Sequence, residues 1–131
     1  MSRLNPATIL VVDDEDGMRT LLRHQLSDLG YVVVEAGHGL GALHLVRMQP
    51  SKFDLVISDV VMPLMNGIEL AATLRDEYPE LPVILISAYT PTALTRVGID
   101  HAVVPVVMKP YTRDELAELI ELTLESPAVL S

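Results

Sequence analysis

The chain has 131 residues, of which 50% are hydrophobic and none is cysteine, and its formal net charge is −9. Without cysteine, a disulfide framework and a thiolate metal site are excluded, and the acidic balance repels nucleic-acid phosphates, so we expect no direct binding of DNA or RNA. Residues 1–6 lack the apolar stretch of a signal peptide and no apolar run approaches the ~18 residues that span a bilayer, so we expect a cytoplasmic location and no membrane contact.

Five short apolar runs divide the chain. Each run is rich in β-branched residues and nearly continuous, without regular alternation with polar residues. This pattern is typical of parallel strands that are buried on both faces of a sheet. The runs are residues 8–12, 32–34, 55–58, 83–86 and 104–108. They predict five strands.

The segment after the first run has the spacing of an amphipathic helix. One predicted face carries Met18, Leu21, Leu22, Leu26 and Leu29. Gly30 follows that face and predicts a C-terminal cap. After the second run, residues 37–41 contain three glycines, which briefly suggests a nucleotide-binding loop. Their spacing is wrong for such a loop and no matching acid follows, so we interpret residues 37–41 as a loose helix start.

The remaining segments also predict helices. One covers about residues 67–78 and stops before Pro79, whereas residues 91–97 predict only a short helix. The last helix begins with a capping box formed by Thr112 and Glu115 and ends at residues 126–127, which are Ser-Pro. Its apolar face consists of Leu116, Leu119, Ile120 and Leu124.

Five strand–helix units joined by right-handed crossovers predict an α/β fold, a three-layer sandwich around a five-stranded parallel sheet. No linker or low-complexity tract divides the chain. We therefore expect residues 1–131 to form a single domain, with a core of about 7–124 and short tails at both ends.

A polar residue ends every run, and four of these ends carry candidate site residues. Asp13 and Asp14 end the first, Asp59 the third, Ser87 the fourth and Lys109 the fifth. In an open parallel sheet, ligands bind in the crevice beyond the carboxyl ends of the strands. If the strand order is 2-1-3-4-5, the three acids converge between strands 1 and 3. Ser87 and Lys109 would then flank them.

Three carboxylates in one crevice require a physical reason. Two like charges ~4 Å apart repel by about 4 kcal/mol at an effective dielectric constant of 20. A bound cation or protonation of one acid would remove that repulsion, and magnesium prefers such hard oxygen ligands. Lys109 adds a fixed positive charge and Ser87 a hydroxyl donor. Together these groups predict a pocket for a tetrahedral dianion beside a nucleophilic carboxylate.

Each of these residues also has a simpler interpretation. Asp13 or Asp14 could cap the first helix, and Asp59 could be a turn residue. Ser87 could start a turn, and Lys109 could be a surface lysine. The combination at four strand ends favours the metal and phosphate interpretation. Glu35 ends the second run, at the expected sheet edge, and we interpret it as a surface residue.

The motifs resemble one family in combination. They are residues 9–15, residues 54–63 with Gly67, residues 87–89 and residues 109–111. Over about residues 7–124 the chain resembles the receiver domains of response regulators in bacterial two-component signalling. The resemblance implies a flavodoxin-like fold with strand order 2-1-3-4-5.

The resemblance also implies a magnesium site. Asp14 and Asp59 would ligate the ion directly, and Asp13 would act largely through bound water. The backbone carbonyl of Val61 would complete the share of the coordination shell that the protein supplies.

The implied function is a signalling switch and not an enzyme with turnover. Asp59 would accept a phosphoryl group from a sensor histidine kinase or a phosphotransfer protein, while Ser87 and Lys109 would bind the phosphoryl oxygens. The Lys109–Pro110 peptide bond would be cis. An output protein or domain would read the phosphorylated state, and a dimer that depends on phosphorylation is left open.

One position departs from the family pattern. Many receivers carry an aromatic residue three positions before the lysine, and here that position is Val106. Two alternatives remain open. An aspartate-nucleophile phosphatase of another α/β family would normally carry a second acid two residues after its nucleophile, where this chain has Val61. A degenerate receiver that serves only as an interaction module would not need the complete set of site residues.

Overall fold

Strands and helices alternate along the part of the chain that the structure, a computed structural model, describes, which is residues 6–96 and 104–125. In chain order they are β1 (Thr8–Val12), α1 (Asp16–Asp28), β2 (Val32–Ala36), α2 (Gly39–Met48), β3 (Leu55–Asp59), α3 (Gly67–Glu77), β4 (Val83–Ser87), α4 (Pro91–Arg96), β5 (Val106–Met108) and α5 (Arg113–Glu125). A single 3-10 turn, Pro50–Lys52, precedes β3. None of these helices combines the length and the apolar content needed to cross a membrane.

The five strands form one parallel sheet in the order β2-β1-β3-β4-β5. This confirms the predicted α/β fold and its strand order. Val12 at the end of β1 pairs with Ser58 near the end of β3. The next residues, Asp13 and Asp59, therefore lie side by side at the carboxyl ends of neighbouring strands.

Buried side chains form one hydrophobic cluster on each face of the sheet. Leu10 of β1 belongs to one cluster, and its neighbours Ile9 and Val11 belong to the other. All three are 0% exposed. Because both faces of a central strand are covered, its apolar run is continuous and does not alternate.

The helices divide between the two faces. Helices α2, α3 and α4 cover one face, and α1 and α5 cover the other. Their larger buried apolar residues are Leu43, Val46, Leu70, Leu74 and Leu94 on the first face and Leu22, Leu26, Leu116 and Ile120 on the second. Complete burial of one such side chain contributes about 1.5–3 kcal/mol to folding.

The sheet edges depart from the prediction that both faces of every strand are buried. Val32 in the edge strand β2 is exposed, and so is Met108 in the edge strand β5. Strand β5 also begins at Val106, two residues later than the apolar run predicted. An edge strand has a neighbour on one side only, so its covering is incomplete.

The first helix corrects one predicted core residue. Leu21 is 48% exposed, whereas Leu22 and Leu26 are buried. Leu21 lies one residue, or about 100°, away from Leu22 around the helix, which turns its side chain out of the buried stripe. Gln25 is half-buried instead, and its Oε1 atom lacks a hydrogen-bond partner among residues 6–96 and 104–125.

The predicted helix ends are largely confirmed. Gly30 after α1 has a φ angle of 95°, a conformation that glycine adopts easily. Thr112 and Glu115 form the capping box of α5, with two hydrogen bonds of 3.0 Å. Residues 37–41 do contain a helix start, where His38 Nδ1 accepts a hydrogen bond of 2.9 Å from the amide of Gly41. The Ser-Pro pair at 126–127 and Val97 lie outside the described residues.

Gly67 at the start of α3 has no room for a side chain. Its amide donates to the carbonyl of Val60 at 2.9 Å. A Cβ atom at this position would lie 2.1 Å from the carbonyl oxygen of Asp59, well inside van der Waals contact. The β3–α3 connection therefore depends on this glycine.

We expect Gly67→Ala to lower the free energy of unfolding by about 3 kcal/mol, because the backbone of β3 must shift to admit a methyl group. Gly17→Ala is the matched control. A Cβ at Gly17 meets nothing within 4 Å, and alanine favours a helix, so its free energy should stay the same or rise by up to ~1 kcal/mol. Urea denaturation measures both variants, and equal stability would contradict the expectation.

Candidate functional site

Three carboxylates meet at the carboxyl ends of β1 and β3. Asp13, Asp14 and Asp59 each offer one oxygen, and these oxygens all lie within 4.8 Å of one another. Asp13 is buried at 6% exposure, Asp59 is half-buried and Asp14 is exposed. The structure thus brings together the three acids that the sequence predicted to converge.

Asp13 is held by its neighbours on both sides. Its amide donates to the carbonyl of Ala36 at 3.2 Å, and its Oδ1 accepts from the amide of Glu15 at 2.9 Å. Neither Asp13 nor Asp14 is the N-cap of α1. Glu15 occupies that position and makes no side-chain capping bond. Helix capping therefore does not explain the two adjacent acids.

Lys109 supplies a positive charge beside the cluster. Its Nζ lies 3.6 Å from Oδ2 of Asp59. Its amide donates to the carbonyl of Ser87 at 2.7 Å, which ties the end of β5 to the end of β4. The Lys109–Pro110 peptide bond is cis, as the family resemblance implied.

The charges of the cluster are not balanced by protein groups alone. Burial raises the pKa of the Asp13 carboxyl above its ordinary value, although the hydrogen bond from Glu15 opposes the shift. The charges of Asp59 and Asp14 raise this pKa further, and the charge of Lys109 lowers it. Three carboxylates thus face one ammonium group, and a divalent cation would offset the excess.

Tyr111 also responds to the cluster. The side chain is half-buried, and burial, followed by the negative charge of Asp13, raises the pKa of its hydroxyl group. Tyr111 follows the Lys-Pro pair and belongs to the motif at residues 109–111, but no role was predicted for it from the sequence. The charge of Asp13 contributes to this pKa, so the β5–α5 connection lies near the acidic cluster.

Ser87 is buried at the end of β4, and its hydroxyl group faces its own turn. The Oγ atom accepts from the amide of Tyr89 at 2.8 Å. It also donates to the carbonyl of Tyr89 at 3.3 Å, which is a long hydrogen bond. The hydroxyl is therefore at the predicted strand end, bound to backbone.

Val61 lies two residues beyond Asp59 and is 58% exposed. The preceding residue, Val60, is fixed by its amide, which donates to Ile86 at 3.1 Å, and by its carbonyl, which accepts from Gly67. Within residues 6–96 and 104–125, no donor reaches the carbonyl oxygen of Val61. The role of that oxygen as a metal ligand stays a prediction of the family resemblance.

The donor set fits magnesium. It consists of three carboxylates, which offer hard oxygen ligands, and among the residues that the structure describes no histidine or cysteine joins it. The exposure of Asp14 and Val61 leaves room for water and for phosphate oxygens around the ion. Magnesium normally keeps several such ligands.

One contact to the acidic loop was missed from the sequence. Arg19 of α1 donates from Nη1 to the backbone carbonyl of Asp13 at 2.7 Å. Its other nitrogens donate to Asp16 at 2.6 Å and Glu35 at 3.2 Å. Glu35 is exposed as predicted, yet it also pairs with Arg23 at 3.1 Å. Glu35 at the end of the second run was the one sequence feature from which these ion pairs could have been predicted.

A family model of the response regulator receiver domain matches residues 9–121. The sensor kinase CckA of Brucella abortus is 36% identical over 119 residues, which are 91% of the chain and 13% of that kinase. The transcriptional regulatory protein GlrR of Escherichia coli K12 is 35% identical over 123 residues, which are 94% of the chain and 27% of that regulator. The chain thus spans only a small part of these relatives.

A solved structure adds a comparison at the level of the fold and the ligand. The response regulator TrrA of Thermotoga maritima, crystallised in complex with Mg²⁺ and BeF, superimposes with a TM-score of 0.77 at 33% identity. The match covers 89% of this chain and 98% of that protein. The acidic cluster described above occurs in a chain whose structural relative was solved with magnesium.

We expect Asp13→Asn to stabilise the protein in metal-free buffer at pH 7. Because the pKa of Asp13 is raised, its ionised form opposes folding at neutral pH. Asparagine removes that charge and keeps an oxygen for the amide of Glu15. The free energy of unfolding should rise by on the order of 1 kcal/mol in urea denaturation.

The gain should depend on pH and on metal. As the pH falls below the ordinary carboxyl value of 3.8, Asp13 becomes protonated in folded and unfolded protein alike, and the difference should vanish. Added magnesium should stabilise the wild type more than the variant. Asp14→Asn, at an exposed position, is the control and should gain less. A less stable Asp13→Asn variant at pH 7 without metal would contradict the expectation.

Proposed function

Because the chain belongs to the response regulator receiver family, we propose that Asp59 accepts a phosphoryl group in a magnesium-dependent reaction. The observation that carries the proposal is the convergence of Asp13, Asp14 and Asp59, with the ammonium group of Lys109 3.6 Å from Asp59. A half-buried carboxylate between a cation site and an ammonium group is arranged to act as a nucleophile toward a phosphoryl group.

The proposed donor is a phosphohistidine of a sensor histidine kinase or of a phosphotransfer protein. A carboxylate oxygen of Asp59 attacks phosphorus and forms the new O–P bond, while the P–N bond of the donor breaks. The leaving imidazole nitrogen keeps the electron pair and takes up a proton. Lys109 remains beside Asp59, where its charge offsets that of the incoming phosphoryl oxygens.

We assign the proposed metal ligands by their oxygens. Asp14, Asp59 and the backbone carbonyl of Val61 would hold magnesium directly, and Asp13 would act through bound water. When bound, the ion neutralises charge on the phosphoryl oxygens. The hydroxyl group of Ser87 would donate a hydrogen bond to the same phosphoryl oxygens. The cofactor of the proposed reaction is therefore Mg²⁺, with no organic group.

The receiver is a switch that passes a signal between proteins. We propose that residues 1–131 act as one such domain in the cytoplasm, with a kinase or phosphotransfer partner and a downstream output protein or domain. A sensor kinase and a transcriptional regulator among the relatives support both kinds of partner. The formal net charge of −9 disfavours direct contact with nucleic acid.

Turnover is not part of the proposal beyond self-catalysed phosphorylation and slow self-dephosphorylation. An aspartate-nucleophile phosphatase would need an acid in place of Val61, where this chain has an exposed apolar side chain. The interaction-module alternative does not explain why Asp13, a costly buried carboxylate, is retained beside two other acids.

Acetyl phosphate with magnesium is expected to add one phosphoryl group to the wild type, measurable by intact mass. Asp59→Asn should abolish the addition because an amide oxygen is a poor nucleophile. Asp76→Asn is the control, since Asp76 lies exposed on α3, and it should be labelled like the wild type. Chelation of magnesium should stop labelling of the wild type and of Asp76→Asn. Full labelling of Asp59→Asn would overturn the assignment.

The lifetime of the phosphorylated state is expected to depend on two exposed side chains. Val61 and Tyr89, which are 58% and 51% exposed, follow Asp59 and Ser87 by two residues each. Neither carries an amide or a charge that could orient an attacking water. Val61→Asn combined with Tyr89→Glu should therefore shorten the lifetime about tenfold, which corresponds to ~1.4 kcal/mol in the barrier.

Decay of the phosphorylated protein after donor removal, at fixed magnesium concentration, measures this effect. Met48→Glu is the control because Met48 is also exposed, at 67%, but lies at the last residue of α2, the helix end that leads back to the start of β3. Its lifetime should match that of the wild type. If the double variant decays no faster than this control, Tyr89 does not shield the phosphoryl group and belongs to a partner-binding surface.

A further inference from the structure

The Asp13–Asp14 pair is anchored by Arg19, a residue outside the acidic cluster. Arg19 Nη1 donates to the backbone carbonyl of Asp13 at 2.7 Å, and Arg19 Nε donates to Glu35 at 3.2 Å. Its side chain is only 19% exposed. Arg19 thus connects the loop after β1 to the end of β2.

The carbonyl contact fixes more than Asp13. A peptide unit is planar, so the carbonyl oxygen of Asp13 and the amide and Cα of Asp14 lie in one rigid plane. Restraining that oxygen restrains the position from which the Asp14 side chain projects. This matters because no hydrogen bond holds the Asp14 carboxylate itself among residues 6–96 and 104–125, whereas Asp13 has one to Glu15.

The two carboxylates bound to Arg19 hold the guanidinium group in place. Asp16 accepts from Nη2 at 2.6 Å, and Glu35 is also fixed by Arg23 at 3.1 Å. With three of its nitrogens engaged, Arg19 has little freedom to leave the carbonyl of Asp13. A planar guanidinium group can bond three separate acceptors at once, and the single ammonium group of lysine does not reproduce this geometry.

We propose that Arg19 is a positioning residue for the magnesium site, which it serves by holding the Asp13–Asp14 peptide plane so that Asp14 points toward Asp59. The inference rests on the proposed function, because it concerns the same ion. Arg19 would touch neither the ion nor the phosphoryl group, because its nitrogens bond the Asp13 carbonyl, Asp16 and Glu35. Its effect is to preorganise a ligand that is otherwise exposed and unrestrained.

Charge and positioning make opposite predictions for this residue. Arg19 is a cation near a cation site, so if only its charge mattered, its removal would tighten magnesium binding. If it holds the peptide plane, its removal must weaken binding because Asp14 loses its orientation. The sign of the change therefore distinguishes the two effects.

The experiment measures magnesium affinity by titration calorimetry and the free energy of unfolding by urea in metal-free buffer. Arg19→Gln should weaken magnesium binding about tenfold, the usual effect of losing a partner behind a metal ligand. Arg23→Gln is the matched control. It removes the same charge and a bond to the same Glu35, but Arg23 makes no contact with the Asp13 carbonyl in the described residues.

Arg23→Gln should bind magnesium within about twofold of the wild type, even if both variants lose similar stability. Arg19→Lys should fall between Arg19→Gln and the wild type, because one ammonium group can bond the carbonyl but cannot bridge to Glu35. If Arg19→Gln does not fold, the comparison of Arg19→Lys with Arg23→Lys carries the test, and weaker binding by the former supports the proposal.

Unchanged or tighter magnesium binding by Arg19→Gln would overturn the positioning role and leave the proposed function intact. Equal weakening by Arg23→Gln would also overturn it, since the ion pair to Glu35 would then be responsible. Failure of the wild type itself to bind magnesium would overturn the proposed function and this inference together.

Discussion

Repulsion among three carboxylates is the constraint around which the site is organised. The parallel register of β1 and β3 brings Asp13 and Asp59 to the same sheet edge, and Asp14 follows directly. Like charges within 4.8 Å repel one another, and the burial of Asp13 adds a desolvation cost, so the cluster opposes folding. Within residues 6–96 and 104–125, Lys109 is the one cation paired directly with the cluster's carboxylates, at Asp59. The remaining repulsion is what makes the site receptive to a divalent cation, because binding relieves a strain that the folded protein already carries.

The rest of the structure holds this unfavourable arrangement in place. The central strands are buried on both faces, so the strand ends cannot separate without exposing both hydrophobic clusters. Gly67 lets α3 begin against the backbone of Asp59. Arg19 restrains the loop that carries the other two acids. Stability is thus concentrated in the two cores, while the site itself opposes folding, as functional sites often do.

Sequence patterns predicted the parts that depend on burial and strand order. Continuous apolar runs indicated central strands, and polar residues at their ends indicated one shared crevice. Other features depend on three-dimensional contacts that periodicity cannot express. Leu21 fits a helical stripe in the sequence but lies at its outer edge. Arg19 belongs to no recognised motif. Its contact with Glu35 depends on the pairing of β2 with β1, which the sequence does not show directly. The orientation of the Ser87 hydroxyl depends on the backbone of its own turn.

On the proposed function, the hydroxyl of Ser87 is the group through which this chain would respond without an aromatic residue at position 106. Val106 is half-buried against the first hydrophobic cluster, and its short branched side chain cannot exchange between solvent and interior as a large ring can. The hydrogen bond from Ser87 to the carbonyl of Tyr89 is long at 3.3 Å and easily replaced. On the proposed function, a phosphoryl oxygen would offer a charged and stronger acceptor for the same proton. The response would then begin with release of the Ser87–Tyr89 turn, which is coupled to β5 through the bond from Lys109 to the Ser87 carbonyl.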